Sequence, residues 1–258
     1  MSGGQNLVQI ETGDRIVTAT FNSPPANALS LELAAGLQEA CDAVENAGAR
    51  VLVLRSALPG FFVAGADLKL IGTATSEEFA DYLERLRAAI ERVAELAAVS
   101  IAAIGGHALG AGLELSCACT LRVASEDAKL GVPEIKLGLL PGAGGTQRLP
   151  RLIGAGPALD LLLTGRSIDG AEAHALGLVQ RLAAAGEADQ AAASLAGEIA
   201  AMPAEALAAI KRCAHAAGEQ SFADGMAFEA REILALFDGD AAREGLAAFL
   251  GKRRPDFG

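Results

Sequence analysis

The chain has 258 residues, 52% of them hydrophobic and 21% charged, so it can bury a substantial core and is not a disordered polymer. Lys+Arg of 21 against Asp+Glu of 32 gives a net charge of −11, which argues against a general polyanion-binding surface. Aromatic residues make up 4%, with one Tyr and no Trp, so stacking platforms for nucleic-acid bases are not expected either.

The N-terminal stretch MSGGQNLVQIETGDR lacks the apolar centre of a secretion signal and the Arg/Ser richness of a transit peptide. No run approaches the roughly 18 apolar residues of a membrane span, and the expectation is a cytoplasmic protein. LVQIETGDRIVTATFN reads as a hairpin with Gly13-Asp14 in its turn. Pro24-Pro25 ends it, and Ser30 is placed to N-cap a helix running to about Gly48. VLVLRS (51–56) reads as a buried strand by length and β-branching, and LPGFFVAGADLKL as an irregular segment. Thr75 with Glu78 forms a capping-box pattern that opens a helix to about Ala98. SIAAIGG (100–106) is another buried strand, and GAGLELSCA (110–118) a short helix entered through glycines. LRVAS (121–125) and the start of KLGVPE read as strands. This alternation over residues 6–180 predicts an α/β layered core. From about Gly186 the pattern is helical, punctuated by Pro203 and Gly218. A soft boundary near residue 195 divides a core, 1–195, from a helical region, 196–258, with no low-complexity linker between them.

Four cysteines (Cys41, Cys117, Cys119, Cys213) show no zinc-ligand spacing with matching histidines and read as small buried hydrophobes in a reducing compartment. GHALGAG lacks the Gly-Lys-Ser/Thr of a phosphate-binding loop and is no convincing dinucleotide fingerprint, and no Gly-x-Ser-x-Gly elbow occurs. Three stretches combine small residues, which admit a ligand close to main chain, with one acid each: FVAGADLKL with Asp67, GGHALGAGLELS with Glu114, and GVPEIKLGLLPGAGGTQRL with Glu134. Glu114 falls on the first turn of a helix whose leading N–H groups have no intrahelical partner and can face a developing negative charge. Its plainer reading is an acid that complements the helix dipole. Asp67 reads best as an N-cap or turn acid. Two glutamates on apolar, glycine-lined segments suggest a pair that shares one water, one taking and one giving a proton, with pKa values pushed up by a low-dielectric setting. His107 reads as a packing residue, and His174 and His215 carry no partner motif.

Taken together, FVAGADLKL, GGHALGAGLELSCACTLRVA and LGVPEIKLGLLPGAGGTQRLPRLIG resemble, in order and spacing, the central signatures of the crotonase superfamily, closest to its enoyl-CoA hydratases. LLTGRSIDGAEAHALGLVQRL (162–182) and the ending EGLAAFLGKRRPDFG continue the likeness over nearly the whole chain. The resemblance implies a spiral of repeated strand–strand–helix units with a C-terminal all-helical trimerisation region. It implies hydration of a trans-2-enoyl-CoA to a 3-hydroxyacyl-CoA with Glu114 and Glu134 as catalytic acids. The residue matching Glu134 protonates the α-carbon, and the one matching Glu114 helps deliver hydroxyl to the β-carbon. The oxyanion hole falls on the backbone N–H groups of Ala66 and Ala111; the family commonly has Gly at the second position, so Ala111 keeps the N–H and narrows the pocket by a methyl group. Substrate contacts are implied at Ala64, Ala66, Asp67, Leu68, Lys69, Ala111, Gly142, Phe249 and Lys252. Gly142 matches a position whose backbone supports the second acid, and Lys69 is either a cation near the CoA phosphates or a solvated lysine. No metal or other cofactor is implied, coenzyme A being part of the substrate, and the partner is a second copy of the chain in a trimer or a dimer of trimers. Isomerisation of a 3-enoyl-CoA and non-catalytic acyl-CoA binding stay open as alternatives.

Overall fold

A computed structural model describes residues 7–258; the reading of the N-terminus as leaderless falls partly on residues 1–6, outside the described residues. In chain order come β1 (Val8–Thr12), β2 (Ile16–Phe21), α1 (Leu31–Ala47), β3 (Val51–Ser56), β4 (Phe61–Val63), α2 (Leu68–Ile71) and α3 (Ser76–Glu95). Then follow β5 (Val99–Ile104), β6 (His107–Leu109), α4 (Ala111–Ala118), β7 (Leu121–Ser125), β8 (Lys129–Gly131) and a 3-10 helix over Pro133–Leu137. The chain continues through α5 (Gly145–Ile153), α6 (Ala155–Thr164), β9 (Ser167–Asp169), α7 (Gly170–Ala175), β10 (Arg181–Ala183), α8 (Ala188–Ala200), α9 (Ala204–Ala216), α10 (Phe222–Phe237) and α11 (Asp240–Leu250).

The hairpin forms as expected: β1 and β2 pair antiparallel, and Gly13 N–H closes the turn on the Ile16 carbonyl at 2.9 Å. Ser30 caps α1 by accepting from Leu33 N–H, and the Thr75–Glu78 capping box is complete in both directions. The segment expected to be irregular is not wholly so. Phe61–Val63 is a strand and Leu68–Ile71 a helical turn, and His107–Leu109, Ser167–Asp169 and Arg181–Ala183 are further short strands that the sequence pattern does not reveal.

Six strands form one sheet in the order β1-β2-β3-β5-β7-β10, parallel from β2 onward. Both faces of its centre are covered, which is why VLVL and VSIAAI are apolar at successive positions rather than alternately. Val51, Val53, Val99, Ile101 and Ala103 face one way, onto Ala192, Leu195 and Ala196 of α8. The residues between them, Leu52, Leu54, Ala102 and Ile104, join the main core with α1 and α3. Residue 195 therefore lies inside a helix that closes one face of this sheet.

A second sheet, β4-β6-β8-β9, holds β4, β6 and β8 parallel, with Val63 beside Ala108 and Ala108 beside Leu130. Arg122, buried in β7, donates to the carbonyls of Ser116, Cys119 and Leu178 and so ties the C-terminal end of α4 to the larger sheet. At its other end α4 sits so close to β4 that a Cβ on Gly112 would lie 2.0 Å from the Val63 carbonyl oxygen. Helices α9 to α11 extend past this core and leave Ile210, Phe222, Leu234, Phe237 and Leu250 exposed. No single helix is long and apolar enough to cross a membrane among the described residues.

Gly112→Ala is expected to destabilise the fold by about 3 kcal/mol, because neither the strand carbonyl nor the helix can yield without cost. The denaturation midpoint measures this, and an unchanged midpoint contradicts the close approach of α4 to β4.

Candidate active site

The small sheet aligns the three stretches singled out in the sequence. Parallel strands end at a common edge, so the segments that follow β4, β6 and β8 leave side by side. After β4 come Ala64–Asp67, after β6 come Gly110 and α4, and after β8 come Val132 and the 3-10 helix carrying Glu134.

The Ala64–Asp67 segment is tied down on both sides. Ala64 N–H donates to the Ala26 carbonyl at 3.1 Å, and the Gly65 carbonyl accepts from Leu29 N–H at 2.8 Å. Asp67 N–H donates to the Tyr82 hydroxyl, which in turn donates to the Leu29 carbonyl at 2.7 Å. The Asp67 carboxylate is the N-cap of α2, accepting from Lys69 and Leu70 N–H at 3.0 and 3.2 Å. Leu68 and Lys69 are exposed on that turn. Among the described residues, neither Ala66 N–H nor Ala111 N–H donates to an acceptor of the chain. Ala111 is the first residue of α4, where an N–H has no intrahelical carbonyl to reach.

Gly110 turns the chain from β6 into α4 at φ 51°, a conformation that disfavours any side chain. A Cβ there would also lie 2.6 Å from Glu134 Oε1. Gly110 is thus required twice, and the carboxyl of Glu134 is fixed against the start of α4. Pro133 opens the 3-10 helix and restricts the backbone just before Glu134. Glu134 Oε2 is out of reach of solvent and has no hydrogen-bond partner among the described residues. Burial, reinforced by the charge of Glu114, pushes the Glu134 carboxyl up to about 7.

Glu114 is 2% exposed, on the first turn of α4. Its Oε1 accepts from Ala143 N–H at 2.7 Å and Gly145 N–H at 2.8 Å. Burial raises its pKa, opposed by these two N–H donors and by the charges of Arg148 and Arg87. The arrangement is a buried acid held by two main-chain donors and a half-buried acid with one oxygen unpartnered among the described residues, on chain exits that also carry two N–H groups without an acceptor there. Such a set can move a proton between a bound water and a substrate carbon while the N–H groups receive charge on an oxygen.

Ala66, Ala111, Glu114 and Glu134 all lie on the segments that leave this one edge, with Ala64, Asp67, Leu68 and Lys69 on the strand exit beside them. The Gly142 carbonyl accepts from Arg87, and the loop that Gly142 begins turns the N–H groups of Ala143 and Gly145 to Glu114. Ala143 and Gly145 were not singled out in the sequence; the run PGAGGT is the only trace of them, since a main-chain donor carries no side-chain signature. Phe249, 82% exposed, ends α11, and Lys252 follows in an exposed turn; in the single chain α11 packs on α10. His107 packs its ring on Phe61 at 5.2 Å between centroids. Cys41, Cys117 and Cys119 are buried free thiols, and no cluster of metal-ligating side chains occurs among the described residues.

A carboxyl whose pKa is raised on folding binds its proton more tightly in the folded state. Its contribution to stability is therefore full below the unfolded value of 4.5 and is lost as pH rises through about 7. Glu134→Gln is expected to stabilise the protein at pH 8 by on the order of 1–2 kcal/mol, allowing for partial solvent access, and not at pH 4. Thermal melts of the two proteins across that range check it; a variant no more stable than wild type at pH 8 contradicts the burial of this carboxyl.

A family model described as enoyl-CoA hydratase/isomerase matches residues 11–258. A Bacillus subtilis protein named "Probable enoyl-CoA hydratase" is 39% identical over 256 residues, covering 98% of both chains. An Arabidopsis thaliana relative named "Probable enoyl-CoA hydratase 2, mitochondrial" is 40% identical over 89% of this chain and 76% of its own length. The crystal structure of an enoyl-CoA hydratase from Bacillus anthracis superposes with a TM-score of 0.94 at 37% identity, covering 98% of this chain and 99% of that one. Matched from near its start to its last residue, in sequence and in fold, the chain belongs to the enoyl-CoA hydratase/isomerase family and has the crotonase fold.

Proposed function

We propose that this chain is an enoyl-CoA hydratase that adds water syn across the double bond of a trans-2-enoyl-CoA to give a 3-hydroxyacyl-CoA. The observation that carries the reading is the pair of carboxyls, Glu114 buried and Glu134 half-buried with its Oε2 out of reach of solvent, on the adjoining chain exits that carry the N–H groups of Ala66 and Ala111, which donate to no acceptor among the described residues. As hydroxyl adds to the β-carbon, the thioester oxygen gains negative charge, and the two N–H groups receive it. Glu114, drawn toward its ionised form by two main-chain donors, orients the water and guides its oxygen. Glu134, titrating at about 7, gives a proton to the α-carbon. The proton that the water loses as its oxygen bonds the β-carbon passes to Glu134 and replaces the one given to the α-carbon, so the atoms balance, and no electrons leave or enter. The reading therefore calls for no metal or redox cofactor, and coenzyme A enters as part of the substrate.

In this reading the Ala64–Lys69 segment lines the thioester and the start of the CoA moiety, with Lys69 as the nearby cation. Gly142 serves the site through the loop it begins. Phe249 and Lys252 meet ligand in a trimer or a dimer of trimers, an assembly that the apolar faces of α10 and α11 support. The free cysteines suit a reducing compartment, and we assign the cytoplasm, although some relatives carry mitochondrial names.

Loss of the enoyl-thioester absorbance of crotonyl-CoA tests the activity. Wild type is expected to remove the band, and Glu134→Gln to slow it by about 10²–10⁴. Failure on this and longer 2-enoyl-CoAs, with turnover of a 3-enoyl-CoA, gives the isomerase instead; binding with no turnover of either gives a binding protein. Light scattering should return at least a trimer at micromolar concentration, and a monomer overturns the assembly.

A further inference from the structure

Two arginines outside the acid pair converge on the loop that holds Glu114. Arg87, on the exposed side of α3, donates to the Gly142 carbonyl. That carbonyl belongs to the same peptide group as Ala143 N–H, which donates to Glu114 Oε1 at 2.7 Å. A guanidinium, one peptide group and a buried carboxylate thus form a continuous chain of hydrogen bonds, in which the cation polarises the peptide toward the acid. Arg148, on α5, approaches the next peptide. Its guanidinium donates to the Ala143 carbonyl at 3.2 Å and pairs with Glu91, one turn beyond Arg87 on α3. The same guanidinium covers Gly144, where a Cβ would meet Arg148 Nη1 at 2.2 Å. Both arginines therefore lock the 142–145 loop to α3.

We propose that Arg87, assisted by Arg148, is a positioning residue that holds the Glu114 carboxylate ready for reaction by acting through the Gly142–Ala143 peptide. The inference rests on the preceding reading only in calling Glu114 catalytic. The arginines also give the two acids different surroundings. The charges of Arg148 from α5 and Arg87 from α3 reach Glu114, and the charge of Glu114 in turn reaches Tyr82 of α3, Glu134 of the 3-10 helix and Cys117 on its own helix. Of these, the two arginines are the cations, and both favour the charged form of Glu114. Among the described residues, Glu134 Oε2 has no such partner.

The test compares Arg87→Gln, Arg87→Lys and the control Arg85→Gln, an exposed arginine on the same helix that pairs with Asp81. Arg87→Gln should lower kcat/KM about tenfold or more near pH 6 but only a few-fold near pH 8, with the acidic limb of the profile moved to higher pH. Arg87→Lys should recover most of the loss, and Arg85→Gln should match wild type. An equal loss at every pH, or no loss, overturns the proposal while Glu114→Gln still tests the acid pair. Should wild type hydrate no enoyl-CoA, isotope-edited infrared titration of the Glu114 carboxyl, identified against Glu114→Gln, replaces the rate. A midpoint raised by Arg87→Gln supports the clamp, and an unmoved midpoint overturns it.

Discussion

The carboxylate of Glu114 is buried at the foot of a helix with no cation in contact, and its Oε1 rests on two main-chain N–H groups from a loop 29 and 31 residues further along the chain. A buried carboxylate without such donors would cost several kcal/mol or give up its charge. Everything nearby serves this contact. Gly145 has no side chain because a Cβ would press on Glu114 Oε1 at 3.1 Å and on Pro141 at 2.7 Å. The guanidinium groups of Arg87 and Arg148 take the outward carbonyls of the same loop. Arg122 ties the far end of α4 to the large sheet, so the helix that carries Glu114 is held at both ends.

The small sheet supplies the alignment. Its parallel strands are three residues each, too short to contribute much stability alone, yet their common edge puts Ala66, Ala111 and Glu134 on adjoining chain exits. The two acids then diverge by environment. Glu114 has two N–H donors and two arginines to favour its charge. Glu134 lies against the bare backbone of Gly110 with one oxygen unpartnered among the described residues, and burial pushes its carboxyl up to about 7. Unequal surroundings for paired carboxyls are what acid–base division of labour requires.

The local signals were legible in the sequence. Ser30, the Thr75–Glu78 box and Gly13-Asp14 each act within a few residues, and each appears where its pattern indicates. The acids Glu114 and Glu134 were legible as charges in apolar, glycine-lined runs. What escaped was set at long range. Phe61–Val63 and His107–Leu109 are too short for a period-two pattern, and only their pairing with each other and with β8 makes them strands. The N–H groups of Ala143 and Gly145 that hold Glu114 escaped too. Which way an N–H points depends on backbone angles, not on residue type. Leu195 packs on the sheet because α8 closes a face that strand periodicity alone leaves open.

The central claim is that two carboxyls on one side of the substrate share a single water. Hydration of a trans-2-enoyl-CoA in D2O, with the configuration of the product read by NMR, addresses that geometry directly. The account requires deuterium at the α-carbon and hydroxyl at the β-carbon to arrive on the same face. Addition from opposite faces, or deuterium delivered to both faces alike, would contradict it.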